Sequence, residues 1–502
     1  MLRDFLNSFC QNQTEILQRK YGKIMHKCNF YESGQPVIKH RGNPRRQLAT
    51  AHESGRAVNK LNPVWMLVFV YFVILFIGDL LSGLSIVPQI APDIVTLGLQ
   101  LILLYVANEK ATRCNYKFVF PGMTPIFSLI AVTIMSAVWN GQGIFQISVF
   151  LRAVLGQYIL FLGIVNIRFT KVEFKRINSM VFVLCAIQIP ASIYRLLTSN
   201  AGIFFMGGSR SFGTESASGT LGISSGSMGM TFALVVIGFL FSFYILKHKK
   251  IYILWMLGFV FFSFCTGKRA FPIILPPFLF AVYILIYERG KMISGKLLAL
   301  VFVASLGLVG GMFLHPSLNP SGKVAGDIDF KYVLNKTVTY ESSITWDGKS
   351  AGRFSSSKRF FEIAIDNGPM AVLFGKGPAT LVKSGLIKSN YSKNRNAMGI
   401  AYGVTGAGWL FSQIGLLGLL CFLWLVMAFL RQTLRIYSIL REPYWRAICG
   451  GLIAFHLVII VDTLSYSQNC VSSKIIPALW FLFLTQTMMF MNYIHPCRFK
   501  RR

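Results

Sequence analysis

The sequence predicts an all-α polytopic membrane protein with about 12 transmembrane helices and one large loop on the far side of the membrane. Three observations predict it. Apolar runs of membrane-crossing length recur along the chain, the segments between them alternate between basic and charge-poor, and one interruption of about ninety residues stands apart.

Composition excludes an ordinary soluble domain. Apolar residues make up 54% of the 502 positions and charged residues only 14%, too much apolar surface for one or two water-facing globules to hide. A bilayer accepts that surface, and it requires apolar runs of roughly 20 residues. Such runs lie near 64–85, 89–107, 119–139, 145–167 and 177–196, then near 222–246, 251–266, 270–287 and 297–314. The last three lie near 407–430, 447–465 and 475–493.

The intervening segments fix an expected orientation. One set holds Lys110/Arg113/Lys117, Arg168/Lys171/Lys175/Arg176, Lys247/Lys249/Lys250, Arg289/Lys291/Lys296, Arg431/Arg435/Arg441/Arg446 and the stretch Arg498 to Arg502. The other set is mostly short and poor in positive charge, such as Asn140-Gly-Gln-Gly143. Lys and Arg resist export, so the rich set is expected on the cytoplasmic side, with both termini there. The layout is then a basic cytoplasmic tail over 1–62, nine spans within 63–314, an extracytoplasmic loop over 315–406, three spans within 407–494, and a basic cytoplasmic tail over 495–502. No cleavable signal peptide is expected, because the first sixty or so residues are polar and basic.

The formal charge of +32 suggests nucleic acid by its size, but its distribution excludes it. The cations gather in short runs between apolar segments, where they orient helices and meet anionic lipid headgroups. The nine cysteines are scattered without a CxxC pair, so neither a zinc site nor a disulfide framework is read. Cys185, Cys265 and Cys421 read as small apolar packing residues.

Ionisable groups in or near hydrocarbon are expensive, which makes them functional candidates. Arg152 lies several residues inside the fourth run; it either snorkels to the interface or faces a site. Lys268 and Arg269 occupy a tight turn, Cys265-Thr-Gly-Lys-Arg-Ala, on the side where positive charge is disfavoured, and a bound anion would explain them. Arg210 begins a Gly- and Ser-rich stretch that either presents backbone N–H groups to an anion or simply connects two spans. Arg353 and Lys358/Arg359 sit on the large loop at helical spacing. Several cations directed to one side suit a pyrophosphate, which guanidinium groups bind bidentately. A polyprenyl-linked sugar presents pyrophosphate at that face of a bacterial membrane with its tail in the bilayer. That ligand is expected here.

Local sequence agrees. Arg210-Ser-Phe-Gly-Thr before a span, Thr266-Gly-Lys-Arg-Ala in a turn and Gly352-Arg353 resemble segments of the O-antigen polymerase and O-antigen ligase superfamily. So do Phe360-Phe-Glu-Ile-Ala-Ile, Leu373-Phe-Gly-Lys-Gly-Pro378 and Phe411-Ser-Gln-Ile-Gly-Leu-Leu-Gly-Leu-Leu420. The resemblance implies a multi-pass glycosyltransferase of the bacterial inner membrane. It would act on undecaprenyl pyrophosphate-linked oligosaccharide, alongside membrane lipids and other polysaccharide assembly proteins. The region 401–408, Ala-Tyr-Gly-Val-Thr-Gly-Ala-Gly, lacks the His-Asn pair of ligases, and Glu215-Ser-Ala-Ser replaces the usual Pro-Asn after Gly-Thr. The missing histidine favours a polymerase of repeat units for O-antigen, capsule or exopolysaccharide over a ligase.

The expected chemistry is transfer of a glycan from one polyprenyl pyrophosphate to a sugar hydroxyl on another. Arg210, Arg269 and Arg353, with Arg152 and Lys268, are expected to hold the pyrophosphate, the electrostatic contribution that usually dominates. Glu215 is the first candidate for general base and Tyr402 the second, and each also has a structural reading. Asp462, placed in the eleventh run, either pairs with one of these arginines or caps a neighbouring helix. Two rivals belong to other classes. A transporter or flippase suits twelve spans but not a ninety-residue loop, and a non-catalytic scaffold explains the basic tail but not the far-side arginines.

No cofactor and no metal are expected, since Asp327-Ile-Asp329 is an isolated pair. Glycan transfer in washed membranes is therefore expected to continue in excess EDTA. Complete loss of transfer, restored by a divalent metal, would refute this.

Overall fold

The structure, a computed structural model, describes residues 63–83, 86–88, 90–198, 218–221, 226–266, 268, 270–286, 320–321, 327, 329–341, 352–382, 394, 398–399 and 404–494. Every regular element among them is helical. In chain order they are α1 (Val64–Gly83), α2 (Ala91–Arg113), α3 (Met123–Trp139), α4 (Ile144–Ile167) and α5 (Lys171–Thr198). Then come α6 (Gly226–Lys247), α7 (Ile251–Cys265), α8 (Ala270–Ile286), α9 (Phe330–Glu341), α10 (Arg353–Asp366) and α11 (Pro369–Phe374). The last are α12 (Gly406–Ile439), α13 (Pro443–Val461), a π-helical turn at Asp462–Tyr466, α14 (Asn469–Ser472) and α15 (Ile475–Ile494).

Hydrocarbon offers backbone groups no partners, so a crossing segment must satisfy them internally, as a helix does. Six helices are long and apolar enough to cross a membrane: α2, α4, α5, α6, α12 and α13 with its π turn. Five shorter apolar helices, α1, α3, α7, α8 and α15, stand beside them. Together they occupy eleven of the twelve apolar runs read from the sequence. The run at 297–314 and both tails, 1–62 and 495–502, lie outside the described residues. Only 28% of the apolar stretch of α2 is buried, and Leu101 and Ile102 are exposed on it. A helix that apolar with so little protein around it has lipid as its natural neighbour.

The central contact joins α6 to α13, and glycines set its closeness. A Cβ at Gly451 would fall 2.1 Å from the Phe239 ring, and one at Gly450 would fall 2.2 Å from Ser242 Oγ. On the facing helix, a Cβ at Gly238 would fall 2.7 Å from the Ala454 methyl. Small residues let backbones come together where no hydrophobic force drives helices against each other. Ser242 uses the proximity to donate to the Ala447 carbonyl at 2.9 Å.

Side-chain amides join other helices. The amides of Asn178 and Gln486 donate to each other at 2.8 and 2.7 Å between α5 and α15. Gln100 on α2 donates to Tyr71 on α1 at 2.8 Å and to Gln157 on α4 at 3.2 Å, and Tyr71 in turn donates to Gln157.

The alternating course gives the bundle two ends. At one, the basic end, Lys110 donates to the Ile167 carbonyl, Tyr437 donates to the Ile286 carbonyl, and Lys171 and Lys175 approach Glu442. The short helices α10 and α11, in the segment expected as a large loop, pack at the other, here termed the loop end.

A straight helix of the 34 residues of α12 would run about 50 Å, well past the roughly 30 Å of hydrocarbon. Gly415 breaks it, at φ 68° and ψ −169°. Gly406–Ile414 is thus a short helix at the loop end, and the membrane-length piece begins at Leu416, later than the run at 407 suggested.

Gly451→Leu is expected to lower stability by about 1–3 kcal/mol through overpacking. Thermal unfolding in detergent measures it, and an unchanged midpoint would contradict the α6–α13 contact.

Candidate functional site

The described part of the segment expected as a large loop is tied to the bundle by hydrogen bonds that meet around the Gly415 break. The Leu373-Phe-Gly-Lys-Gly-Pro378 segment lies across the short helix Gly406–Ile414, with the Lys376 N–H donating to the Ser412 carbonyl at 2.9 Å. Ser136, near the end of α3, donates to the carbonyls of Phe374 and Gln413 at once. Asn140 donates to Gly375 at 3.2 Å, and Trp409 Nε1 donates to Leu381 at 2.9 Å. Gly375, at φ 71°, lies so close to Gln413 that a Cβ would come within 2.6 Å of its carbonyl carbon. Two segments that carry the sequence resemblance are thereby packed against each other. Burial, and next the Arg359 charge, hold the Lys376 ammonium below the ordinary lysine range.

The next loop helix, α10, buries one stripe, Ser356, Phe360 and Ala364, at i, i+4 and i+8. Phe361 stacks on Phe411 at 4.1 Å between ring centroids. Ser357 hydrogen-bonds Thr405 at 3.0 Å, and the Thr405 hydroxyl caps the short helix by accepting from the Gly408 N–H at 3.0 Å. These contacts hold Arg353, the first residue of α10, with its guanidinium 4.1 Å from the centroid of the Tyr466 ring.

Tyr466 belongs to the turn that follows α13, and Asp462 organises that turn. Thr231 on α6 donates to Asp462 Oδ1 at 2.8 Å, Ser467 donates to the same oxygen at 2.7 Å, and the Cys470 N–H donates to Oδ2 at 3.2 Å. Asp462 therefore stands at the end of α13, where the α-helix gives way to a π turn, a feature frequent at functional sites. The same turn places the Ser467 carbonyl to accept from the Gly406 N–H at 2.9 Å, joining it to the loop. Asp462 and Tyr466 also line an apolar cleft with Met230, Leu234, Ile274 and Phe278. Along the turn, Thr463 Oγ1, Gln468 Oε1, Asn469 Nδ2 and Ser473 Oγ are buried without hydrogen-bond partners. Four such groups within eleven residues is an unusual concentration of unused hydrogen-bonding capacity.

Beside the turn, Asp93 near the start of α2 takes two cations. Arg152 Nη2 lies 2.8 Å from Asp93 Oδ2, and Lys474 Nζ contacts Oδ1. The group joins α2, α4 and the entry to α15, and it carries two positive charges against one negative.

The predicted site residues separate as follows. Arg353 and Arg152 are at the loop end, the first on Tyr466 and the second on Asp93. Lys268 is half-buried in the turn between α7 and α8, next to Thr266, which packs against Gly229 at the start of α6. Arg210, Arg269 and Glu215, with Tyr402, lie outside the described residues. Among the described residues no three His, Cys, Asp or Glu side chains converge as a metal site. Sequence reading did not single out Asp93, Lys474 or Tyr466. Lys474 carried the signal that exposed Lys268, a cation at the expected far-side start of an apolar run. Cys185 and Cys265 are buried and Cys421 is partly buried, as packing residues are.

Compared with models of known protein families and with curated proteins, the chain matches none of either.

Asp462→Asn is expected to lower stability by about 1–3 kcal/mol, because a carboxamide that keeps the Thr231 and Ser467 contacts points its NH2 at the Cys470 N–H. Unfolding in detergent tests this, and wild-type stability would remove Asp462 as the anchor of the turn.

Proposed function

We propose that the chain polymerises polyprenyl-pyrophosphate-linked oligosaccharide repeat units at the outer face of a bacterial inner membrane. In this reading it crosses that membrane twelve times with both termini cytoplasmic, and the loop end faces outward. The observation that carries the reading is Arg353. A loop-borne guanidinium is held against the Asp462–Tyr466 turn, at the same end of the bundle as the Arg152–Asp93–Lys474 group.

In the proposed step, an acceptor sugar hydroxyl attacks the anomeric carbon of the donor glycan. The new C–O bond forms as the bond to pyrophosphate breaks. The pyrophosphate keeps the electron pair, and the hydroxyl proton passes to a base. Charge develops on the leaving phosphate, where arginines stabilise it. Arg353, Arg152 and Lys268 are the described candidates, with Arg210 and Arg269 from the sequence. Arg152 would have to share its contact with Asp93. Glu215 remains the proposed base.

Gene deletion complemented with Arg353→Ala, Arg210→Ala or Arg269→Ala at matched expression tests the reading. Polymerisation is expected to fall about 10²–10³-fold for each, with single repeat units accumulating on lipid in place of the long-chain ladder. Full-length lipid-linked polymer that never reaches its final acceptor would replace a polymerase by a ligase. An unchanged ladder in all three would discard the arginine clamp in favour of a transporter or scaffold.

A further inference from the structure

The basic end of the bundle carries a separate cluster. Lys171 and Lys175 at the start of α5 share the single carboxylate of Glu442, at 3.2 and 3.8 Å. Lys175 also lies over the Tyr444 ring at 5.2 Å, and Lys247 at the end of α6 lies over the same ring at 4.8 Å. Three ammonium groups are thus collected around one aromatic ring and one carboxylate, where α5, α6 and the start of α13 meet. The α15 ring of Phe490 lies 5.6 Å from Lys171, and Lys249 and Lys250 follow directly after α6.

Like charges gathered this closely repel, and one carboxylate does not neutralise three cations. The cluster is built rather than accidental, because Tyr444 is fixed by its hydroxyl accepting from Asn178 at 3.1 Å, and Asn178 by the Gln486 pair. Its lysines remain about half exposed, at 49% each for Lys171 and Lys175, so their ammonium groups stay within reach of the interface. The exposed face of α5 continues from the lysines through Arg176 and Ser179 and turns apolar at Val183 and Ile187, one turn apart.

We propose that Lys175 and Lys247 over Tyr444, with Lys171 beside Glu442, form a binding site for the phosphate of an anionic phospholipid, with its acyl chains along the exposed Val183 and Ile187 of α5. Basic pockets between membrane helices bind such headgroups, and an ammonium backed by an aromatic face and a bilayer edge gains an anion with little further desolvation. Glu442 occupies part of the cation set and weakens the site. This inference does not depend on the reaction proposed above.

The test uses the full chain in neutral detergent, following its thermal-unfolding midpoint during titration with dioleoyl phosphatidylglycerol, dioleoyl phosphatidylcholine or inorganic phosphate. Only the phosphatidylglycerol is expected to raise the midpoint, and less so at high salt. Lys175→Gln with Lys247→Gln is expected to raise the half-maximal lipid concentration at least about tenfold. Glu442→Gln is expected to lower it, an outcome that a purely structural ion pair does not give. An equal response to phosphatidylcholine or to phosphate overturns the proposal, as does a wild-type response from the double variant. If the double variant does not fold, Glu442→Gln decides, and an unchanged or weaker response to phosphatidylglycerol overturns the site.

Discussion

The backbone contact between α6 and α13 is the constraint on which the rest of the bundle depends. Gly238, Gly450 and Gly451 remove the side chains that would separate the two helices, and Ser242 adds a hydrogen bond through the gap. Both helices are largely enclosed, with 89% and 78% of their apolar stretches buried. A side-chain cluster at each end is referred to this pair. Thr231 near the start of α6 holds Asp462 at the end of α13, and at the opposite end Lys247 of α6 meets Tyr444 of α13.

The second governing feature is the break at Gly415. A left-handed φ with extended ψ is accessible to glycine and costly for a residue with a Cβ, and here a Cβ would also fall 2.2 Å from the Leu373 carbonyl oxygen. The break separates a membrane helix from a short helix that the loop grips from several sides. The loop is therefore not loosely tethered where it is described. Its helices α10 and α11 are fixed by Ser136, Asn140, Thr405 and Trp409, and that rigidity holds Arg353 against Tyr466.

The two ends use charge in different ways. At the loop end, carboxylates are in place for the cations: Asp93 takes Arg152 and Lys474, and Asp462 draws three hydroxyl and amide donors into one turn. At the basic end, three lysines crowd one glutamate and rest on aromatic rings. Both ends keep excess positive charge, two cations on Asp93 and three lysines about Glu442, and each excess suits an anion.

Apolar length determined the helices. The apolar runs at 64–85 through 475–493 name eleven helices, with the largest miss at α12, because a segment that crosses lipid must satisfy its own backbone and declares itself by apolar length. The cost of charge near hydrocarbon likewise marked Arg152, and loop composition marked Arg353. Partners were beyond its reach. Asp93 precedes Arg152 by 59 positions and Lys474 by 381, and neither distance leaves a local pattern. Tyr466 looked like an ordinary residue at the end of a run until the π turn and the loop brought a guanidinium onto it. The kink at Gly415 was hidden because Phe411-Ser-Gln-Ile-Gly-Leu-Leu-Gly reads as continuous helix, and only the loop packed against it decides that one glycine turns. Sequence determined which segments are apolar enough to enter a bilayer, since that depends on each segment's own surface. Tertiary structure alone decided which charges meet, since that depends on helix neighbours that local sequence does not encode.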